Sequence, residues 1–422
     1  MSHFTTHLKN RNFSRLWVAQ VISQFGDRIN QMALIGLVAG RAPGSAVELA
    51  KVLSFTIIPV FLVGPIAGVY VDRWDRRTTL FVCDFLRALF VISIPFVFMG
   101  RGSMVPIYVV VFLVFCLSRF YVPAKMSIIP DLVKEEDLLM ANSLVTTTGM
   151  IAFVFGCAFG GFLVERLGAR GGFMCDAATF FISGIFVFSM STKMRLKINR
   201  AQLLDTGKEM LTDIRKSVML EMKEGIHYIA GHRDMRFVMG LLFVLFAAAG
   251  AVYVVIIVFV QRAFHSVTQD LGVLAVCLGL GLFTGSLAYG RWGQRISRFT
   301  TIFCCLILGG VMLLLFTVVV QQLPAMPLAM ALAFFLGLVV GPIIISANTV
   351  IHQLADGEMR GKVFSFIEAI IHFAFLISML ICSVLAEHVA HSTILITVGG
   401  IFAVVGAIGM VSYKTRFQHI RG

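Results

Sequence analysis

Two opposite charges stand side by side in the first apolar stretch of the chain, inside the segment SQFGDRINQMAL at residues 23–34. Asp27 is the midpoint of a helix predicted over residues 16–38, about 16 Å from either end at ~1.5 Å per residue. A charge at that depth costs at least ~2.5–3.5 kcal/mol, so it must face a partner or a wet cavity. A carboxyl group so placed can bind and release a proton, and Asp27 is the first candidate for proton coupling.

Polar residues around Asp27 follow one side of the predicted helix. Successive helical residues are about 100° apart, so Asp27 and three glutamines fall within a stripe about 60° wide, flanked by Arg28 and Asn30. Lipid does not solvate such groups, so the stripe is predicted to face the interior of a helical bundle. The substrate-cavity candidates are Gln20, Gln24, Arg28, Asn30 and Gln31.

Arg28 keeps its charge, because a guanidinium does not deprotonate in proteins. Neighbouring helical residues do not face each other, so Arg28 and Asp27 are not expected to form a simple pair. Arg28 is expected to pair with an acid on another helix or to contact an anionic group of a substrate. The alternative is that both charges serve only hydrogen bonding between helices.

Further charges lie inside apolar segments. Asp84 and Arg87 are three residues apart and share a helical face, which predicts either a self-neutralising pair or a gate. Glu368 and His372, four apart, could relay protons or form a plain polar pair; two ligands alone are weak evidence for a metal, and no metal site is predicted. Asp176 is expected near the outer end of its helix, at the interface.

The composition predicts the element that must position these residues. The chain is 58% hydrophobic and 14% charged, which excludes an ordinary soluble protein. Its apolar blocks are long enough to span a bilayer as helices. Twelve segments are predicted, at residues 15–39, 49–71, 79–99, 105–125, 139–164, 173–191, 237–260, 271–290, 300–320, 328–350, 363–387 and 392–413.

The segments divide into two groups of six. We predict an N-terminal bundle at 1–191, a cytoplasmic linker at 192–236 and a C-terminal bundle at 237–422. The linker has apolar residues at helical spacing, which favours an amphipathic helix on the membrane face. Of the 35 Lys and Arg residues, 26 fall in one set of loops, six in the other and three in the spans. This asymmetry predicts a multi-pass protein of the cell membrane with both termini cytoplasmic.

An internal repeat relates the two halves. GPIAGVYVDRWDRR at 64–77 matches GLFTGSLAYGRWGQR at 281–295, in the equivalent position of each half. The first copy resembles motif A of the major facilitator superfamily, with Asp75 where that motif usually has glycine. The resemblance covers the whole chain and implies two six-helix bundles that work by alternating access.

The resemblance also implies roles for particular residues. In motif A, Asp72 and Arg76 would latch the cytoplasmic side in one conformation; the latch residues are Gly68, Asp72, Arg73, Arg76 and Arg77. Gly68 would let a neighbouring helix approach closely. Arg119 resembles the arginine of motif B in proton-coupled drug exporters and would assist proton transfer. Snorkelling of Arg119 to the interface is an equally good interpretation.

Two further stretches, 118–144 and 223–237, resemble the branch that holds macrolide-efflux and enterobactin-exporter proteins. Pieces of the first also occur in lysophospholipid transporters. The favoured function is therefore proton-coupled export of a small amphiphilic compound such as a drug, macrolide or siderophore. The alternatives are a lysophospholipid translocator and a non-transporting sensor or assembly factor on the same fold.

Other function classes lack support in the sequence. There is no Walker A segment for ATP, no catalytic-triad signature and no metal-protease motif, so an enzyme is not predicted. The net charge of +13 follows from the loop asymmetry and does not require nucleic acid. The expected partners are the lipid bilayer, a small-molecule substrate and protons, with no cofactor, and the protein is predicted to be a monomer.

Overall fold

The computed structural model of the 422-residue chain describes residues 10–71, 74–98, 102–191, 231, 233–293, 297–354 and 360–417. These residues form helices and short connections, with no strand among them. The linker predicted at 192–236 lies almost wholly outside the described residues, and so does its amphipathic helix. The described chain is thus all-α, as predicted.

Six helices make up the N-terminal part of the described chain. They are α1 (Arg11–Arg41), α2 (Ala46–Leu62), α3 (Gly64–Val71), α4 (Arg76–Ser93), α5 (Val105–Leu132) and α6 (Leu138–Phe188). A π-helical turn, Ile94–Phe98, extends α4. The second predicted segment is therefore divided between α2 and α3, and the fifth and sixth segments are joined in α6.

Six more helices follow. They are α7 (Arg233–Phe264), α8 (Gln269–Trp292), α9 (Arg298–Gln322), α10 (Met326–Leu354), α11 (Arg360–His388) and α12 (His391–Phe417). Each contains one of the six apolar segments predicted for the C-terminal half, and extends it at both ends.

Nine helical runs in the described part of the chain are long and apolar enough to cross a membrane. The run that contains α6 is counted once, although its 54 residues exceed what a single crossing needs. The shorter α2 and α3, with 17 and 8 residues, are not among the nine. The helix α1 is not among the nine either, because its polar stripe lowers its mean hydropathy. The number of twelve spans stays a prediction.

The long helix α6 reverses direction at Gly168. That residue has φ 68° and ψ 174°, a backbone conformation open to glycine and strained for other residues. Before the break, Gly149 and Gly160 pack on Gln24 and Ile29 of α1, in the same order along both helices. After it, Gly172 packs on Ala33, and the chain then returns towards Gly26. The two legs of α6, residues 138–167 and 169–188, therefore both pack along α1 in opposite directions.

The described residues cluster into two compact units. The first unit comprises Met1–Arg41 with Lys51–Leu220, and the second comprises Ala42–Ala50 with Glu221–Gly422. Most of the division follows the predicted halves, but the short segment that begins α2 clusters with the second unit. The exact domain boundaries stay a prediction.

Glycines close the packing of the second unit. Gly281 and Gly285 of α8 lie against the carbonyl groups of Phe334 and Leu338 in α10. In return, Gly337 and Gly341 of α10 lie against the carbonyl groups of Leu278 and Leu282. The absence of side chains lets the two backbones approach directly. The repeat glycines of the second half thus make a close helix crossing.

Candidate proton and substrate site in the first unit

Asp27 lies on α1 and is partly buried. No described residue makes a direct hydrogen bond or ion pair with its carboxyl group. Four cationic side chains act on it electrostatically; in decreasing order they are Arg87, Arg28, Lys125 and Arg119. Asp27 therefore sits in a positive field without a fixed partner, which leaves its carboxyl oxygens available to a proton or a ligand.

Arg28 points at the first leg of α6. Its guanidinium donates to Gln31 Oε1 at 3.0 Å, and its Cζ lies 4.9 Å from the centre of the Phe153 ring. Its aliphatic stem packs against Gly156. The acid expected on another helix is not found among the described residues, so the expectation of a cross-helix ion pair is not met. Arg28 is held by an amide and an aromatic ring instead.

The glutamines of the predicted stripe have different environments. Gln20 is fully buried, and its amide donates to the carbonyl of Val145 at 3.0 Å. The α1–α6 contact covers it in this structure, so the placement of Gln20 as a cavity residue stays a prediction. Gln24 and Gln31 are only partly buried, and Gln24 lies beside Gly149. The stripe faces the interior of the first unit, but packing against α6 covers Gln20.

Asn30 is buried at 5% exposure and donates from its amide to Asp176 Oδ2. Asp176 lies on the second leg of α6 and is fully buried. The expectation of an interfacial Asp176 is wrong, because the reversal at Gly168 returns the chain into the bundle. Asn30 lines a helix contact here, not an open cavity wall. The sequence did not predict Asp176 as a site residue, although its i,i+3 partner Thr179 marks a polar face.

Asp84 and Arg87 form a buried ion pair on α4, at 0% and 1% exposure. Asp84 Oδ2 accepts from the Ser183 hydroxyl at 2.7 Å. The guanidinium of Arg87 lies 4.3 Å from the ring centres of both Tyr121 and Phe180. The self-neutralising pair is present as predicted. Its assignment as a gate with motif A is not supported, because its contacts are all in the core of the first unit.

Arg119 and Lys125 extend the positive field along α5. Both are partly buried, and both act on Asp27. The observed helix continues to Leu132, beyond the span predicted to end at 125, so Lys125 lies inside the helix and not at its end. A role for Arg119 in tuning Asp27 stays a prediction.

Motif A is only partly described, since Asp72 and Arg73 lie outside the described residues. Arg76 forms an ion pair with Asp131 at the end of α5, with an N–O distance of 2.5 Å. Arg77 donates to the carbonyls of Val187 and Phe188, which end α6.

Two other positions of motif A show departures. A Cβ at Gly68 would meet no described atom within 4 Å, so no described helix approaches it closely, and the role of Gly68 in the latch stays a prediction. Asp75, which stands where the motif usually has glycine, caps α4 by accepting from Thr78 N at 2.7 Å. The acid is thus explained by helix capping.

Glu368 and His372 lie on α11 and meet at 3.4 Å between Oε2 and Nδ1. Their side chains are 62% and 36% exposed. His372 Nδ1 also lies 2.8 Å from the carbonyl oxygen of Glu368. The polar pair is present as the spacing predicts, while a proton relay through it stays a prediction. No group of three potential metal ligands occurs in the described part of the chain.

Comparison with known proteins decides the family. A family model described as transmembrane secretion effector matches residues 2–414. The chain belongs to this family. This transmembrane secretion effector is therefore a multi-pass transporter of the major facilitator superfamily, and the resemblance seen in motif A is confirmed. It is not an enzyme, because the family and the relatives that the chain resembles are transporters.

Relatives and solved structures agree with that assignment. The chain is 26% identical over 409 residues to the MFS-type transporter YfiS of Bacillus subtilis, covering 94% of this chain and 92% of YfiS. It is 25% identical over 384 residues to the multidrug efflux pump Tap of Mycobacterium tuberculosis, covering 89% and 88%. A bacterial homologue of the iron transporter ferroportin superposes with a TM-score of 0.71 at 14% identity, covering 96% and 99%. The major facilitator fold is thus confirmed.

Proposed function

We propose that this transmembrane secretion effector exports a small amphiphilic compound in exchange for protons. The observation that carries the proposal is Asp27, a mid-helix carboxyl group with cations around it and no fixed partner among the described residues. Similarity to a multidrug efflux pump supports the direction of transport. Alternating access of the two units would expose the site to one side of the membrane at a time.

Asp27 would carry the proton. When it is protonated, the nearby guanidinium charge of Arg28 is less compensated, and an anionic or strongly polar substrate group is attracted. When Asp27 is ionised, it compensates that charge itself and competes with the substrate. Proton and substrate binding therefore oppose each other through one local field, and that opposition is the requirement for exchange.

The orientation that fits this direction has both termini in the cytoplasm and the protein in the cell membrane as a monomer. The asymmetry of Lys and Arg between the two sets of loops supports it. In that orientation Arg76 and Asp131 lie on the cytoplasmic side, where an exposed ion pair could latch one conformation.

A lysophospholipid translocator is the second candidate. One observation favours it: Arg28 has an amide and a ring as neighbours and no acid on another described helix, so its guanidinium can bind a phosphate. A phosphate head group would then take the place that a drug's polar group takes in the first candidate.

Reconstitution in liposomes separates the two. With an imposed pH gradient, flux of a drug or siderophore that follows the gradient supports proton-coupled export, and movement of fluorescent lysophosphatidylcholine without a gradient supports lipid translocation. In the first case Asp27→Asn, which keeps the size of the side chain, should abolish coupling. Glu136→Gln is the matched control, since Glu136 is 73% exposed in the connection before α6. Wild-type coupling in Asp27→Asn would overturn the proton role of Asp27.

A further inference from the structure

A second carboxyl group, that of Asp176, packs against α1 next to Asp27. It is fully buried, accepts from the amide of Asn30, and has the Thr179 hydroxyl 3.4 Å from Oδ1. Its Oδ1 would lie 2.6 Å from a Cβ built on Gly26. Gly26 directly precedes Asp27, so the absence of a side chain there brings Asp176 against the backbone of α1 beside the proposed proton site.

The partners of Asp176 are neutral. No described lysine or arginine forms an ion pair with it, and of the charged groups that act on it the strongest is Asp27, followed by Arg87. An ionised carboxylate with only neutral donors is costly to bury. Asparagine would make comparable hydrogen bonds at much lower cost, so a purely structural role gives no reason for an acid at this position.

Two carboxyl groups that act on each other do not both ionise cheaply, and they titrate as a pair. We infer that Asp27 and Asp176 form a coupled carboxyl pair that holds one proton, with Asp176 as the internal proton holder and Asp27 as the member that exchanges with solvent. This inference rests on the proposed function in taking Asp27 as the coupling group, and it adds a second proton-binding residue from α6.

Exposure assigns the two roles. Asp176 has no accessible surface, whereas Asp27 is only partly buried. The single proton rests on Asp176 while Asp27 is the carboxylate; when the O–H bond of Asp176 breaks, Asp27 takes that proton and can release it to water. Asp176 is then the carboxylate, and it accepts the next proton from Asp27. The total number of protons on the pair changes only through Asp27.

The test is infrared spectroscopy of the full-length protein in liposomes at neutral pH, which needs no substrate. Wild type should show the C=O stretching band of a protonated carboxylic acid. Asp176→Asn should lose that band, Asp176→Glu should restore it, and Asp27→Asn should keep it. Glu136→Gln is the control and should match wild type. A wild-type spectrum without the band, or an Asp176→Asn spectrum with the full band, would overturn the pair.

Failure of the pair and failure of the proposed function are distinguishable. If the band follows Asp176 but wild-type liposomes show no gradient-driven flux, the pair exists and proton-coupled export is wrong. If flux follows the gradient but the band is unchanged in Asp176→Asn, export stands and the pair is wrong. Should Asp176→Asn fail to fold, the band in Asp27→Asn and its position in Asp176→Glu still decide the assignment.

Discussion

The interior of the first unit and the interior of the second unit are packed by different kinds of contact. Among the described residues, every fully buried acid or arginine lies in the first unit: Asp84, Arg87 and Asp176. The buried polar groups of the second unit are hydroxyls and one histidine, at Thr268, Thr301, Thr317, Ser346, Ser383 and His391. The second unit instead has the mutual glycine crossing of α8 and α10.

This difference separates two roles within one repeated plan. A charge in a protein core requires a specific partner, and loss of that partner lowers the free energy of unfolding strongly. The stability of the first unit should therefore depend on which charged side chains it contains. Glycine contacts require only the absence of a side chain. The stability of the second unit should therefore depend on side-chain volume at these positions. The repeat that relates residues 64–77 to residues 281–295 has the glycines in both halves, but among the described residues only those of the second half pack closely against another helix.

The largest expected effect is on the buried ion pair. Arg87→Leu leaves the carboxylate of Asp84 without its cation, and removal of one partner of a buried pair costs about 3–5 kcal/mol. The free energy of unfolding in mixed micelles measures the loss. The double variant Asp84→Asn with Arg87→Leu removes both charges and should recover most of it. Wild-type stability of Arg87→Leu would show that the first unit does not depend on this charge.

The glycine crossing should respond to a single methyl group. In Gly285→Ala the added Cβ would meet Leu338, whose carbonyl carbon would lie 2.8 Å away, so the helices must separate. Overpacking of this kind costs about 1–3 kcal/mol. Gly68→Ala is the matched control in the first unit, where the same change should stay within about 0.5 kcal/mol. Equal effects at both positions would break the comparison between the units.

The ion pair of Arg76 and Asp131 should matter more for transport than for stability. Both side chains are substantially exposed, at 34% and 55%, and exposed pairs contribute at most about 1 kcal/mol. Arg76→Gln should therefore unfold near wild type but show slower substrate flux in liposomes if the pair is a latch. The charge swap Arg76→Asp with Asp131→Arg should restore flux, and a swap that restores nothing would contradict the latch.

The smallest effect is expected at Glu368 and His372. A pair this exposed at i,i+4 spacing contributes about 0.2–0.5 kcal/mol. Replacing both residues with glutamine should leave stability and gradient-driven flux little changed, which would place proton handling in the first unit. Loss of coupling with normal folding would instead support the predicted relay, and a proton-handling group would then lie in each unit.

The length of the apolar blocks and the helical spacing of polar residues predicted most of the fold. Apolar blocks of about 20 residues fix helices in a bilayer, and the spacing of Asp84 and Arg87 was enough to predict their contact. These are local properties, set by the chain within a turn or two. The polar stripe on α1 likewise predicted the side that faces the bundle.

Long-range partners could not be predicted in the same way. The contact of Asn30 with Asp176 joins residues 146 apart, and it depends on where α6 reverses. Gly168 lies in the connection between the segments predicted at 139–164 and 173–191, but its neighbours do not show at which residue the chain turns. For the same reason Gln20 was assigned to a cavity, since the sequence does not show which part of a polar face another helix will cover.

The reversal of α6 also has a consequence for biosynthesis. Buried partners of the polar face of α1 lie on α6, as in the bonds from Gln20 to Val145 and from Asn30 to Asp176. A ribosome that adds about 5–20 residues each second needs about 7–30 s to cover the 146 residues between Asn30 and Asp176. During that time Asp27 and Arg28 have no α6 to shield them from lipid. We therefore expect the nascent first helix to remain in a polar environment, beside the insertion machinery, until both legs of α6 have been synthesised.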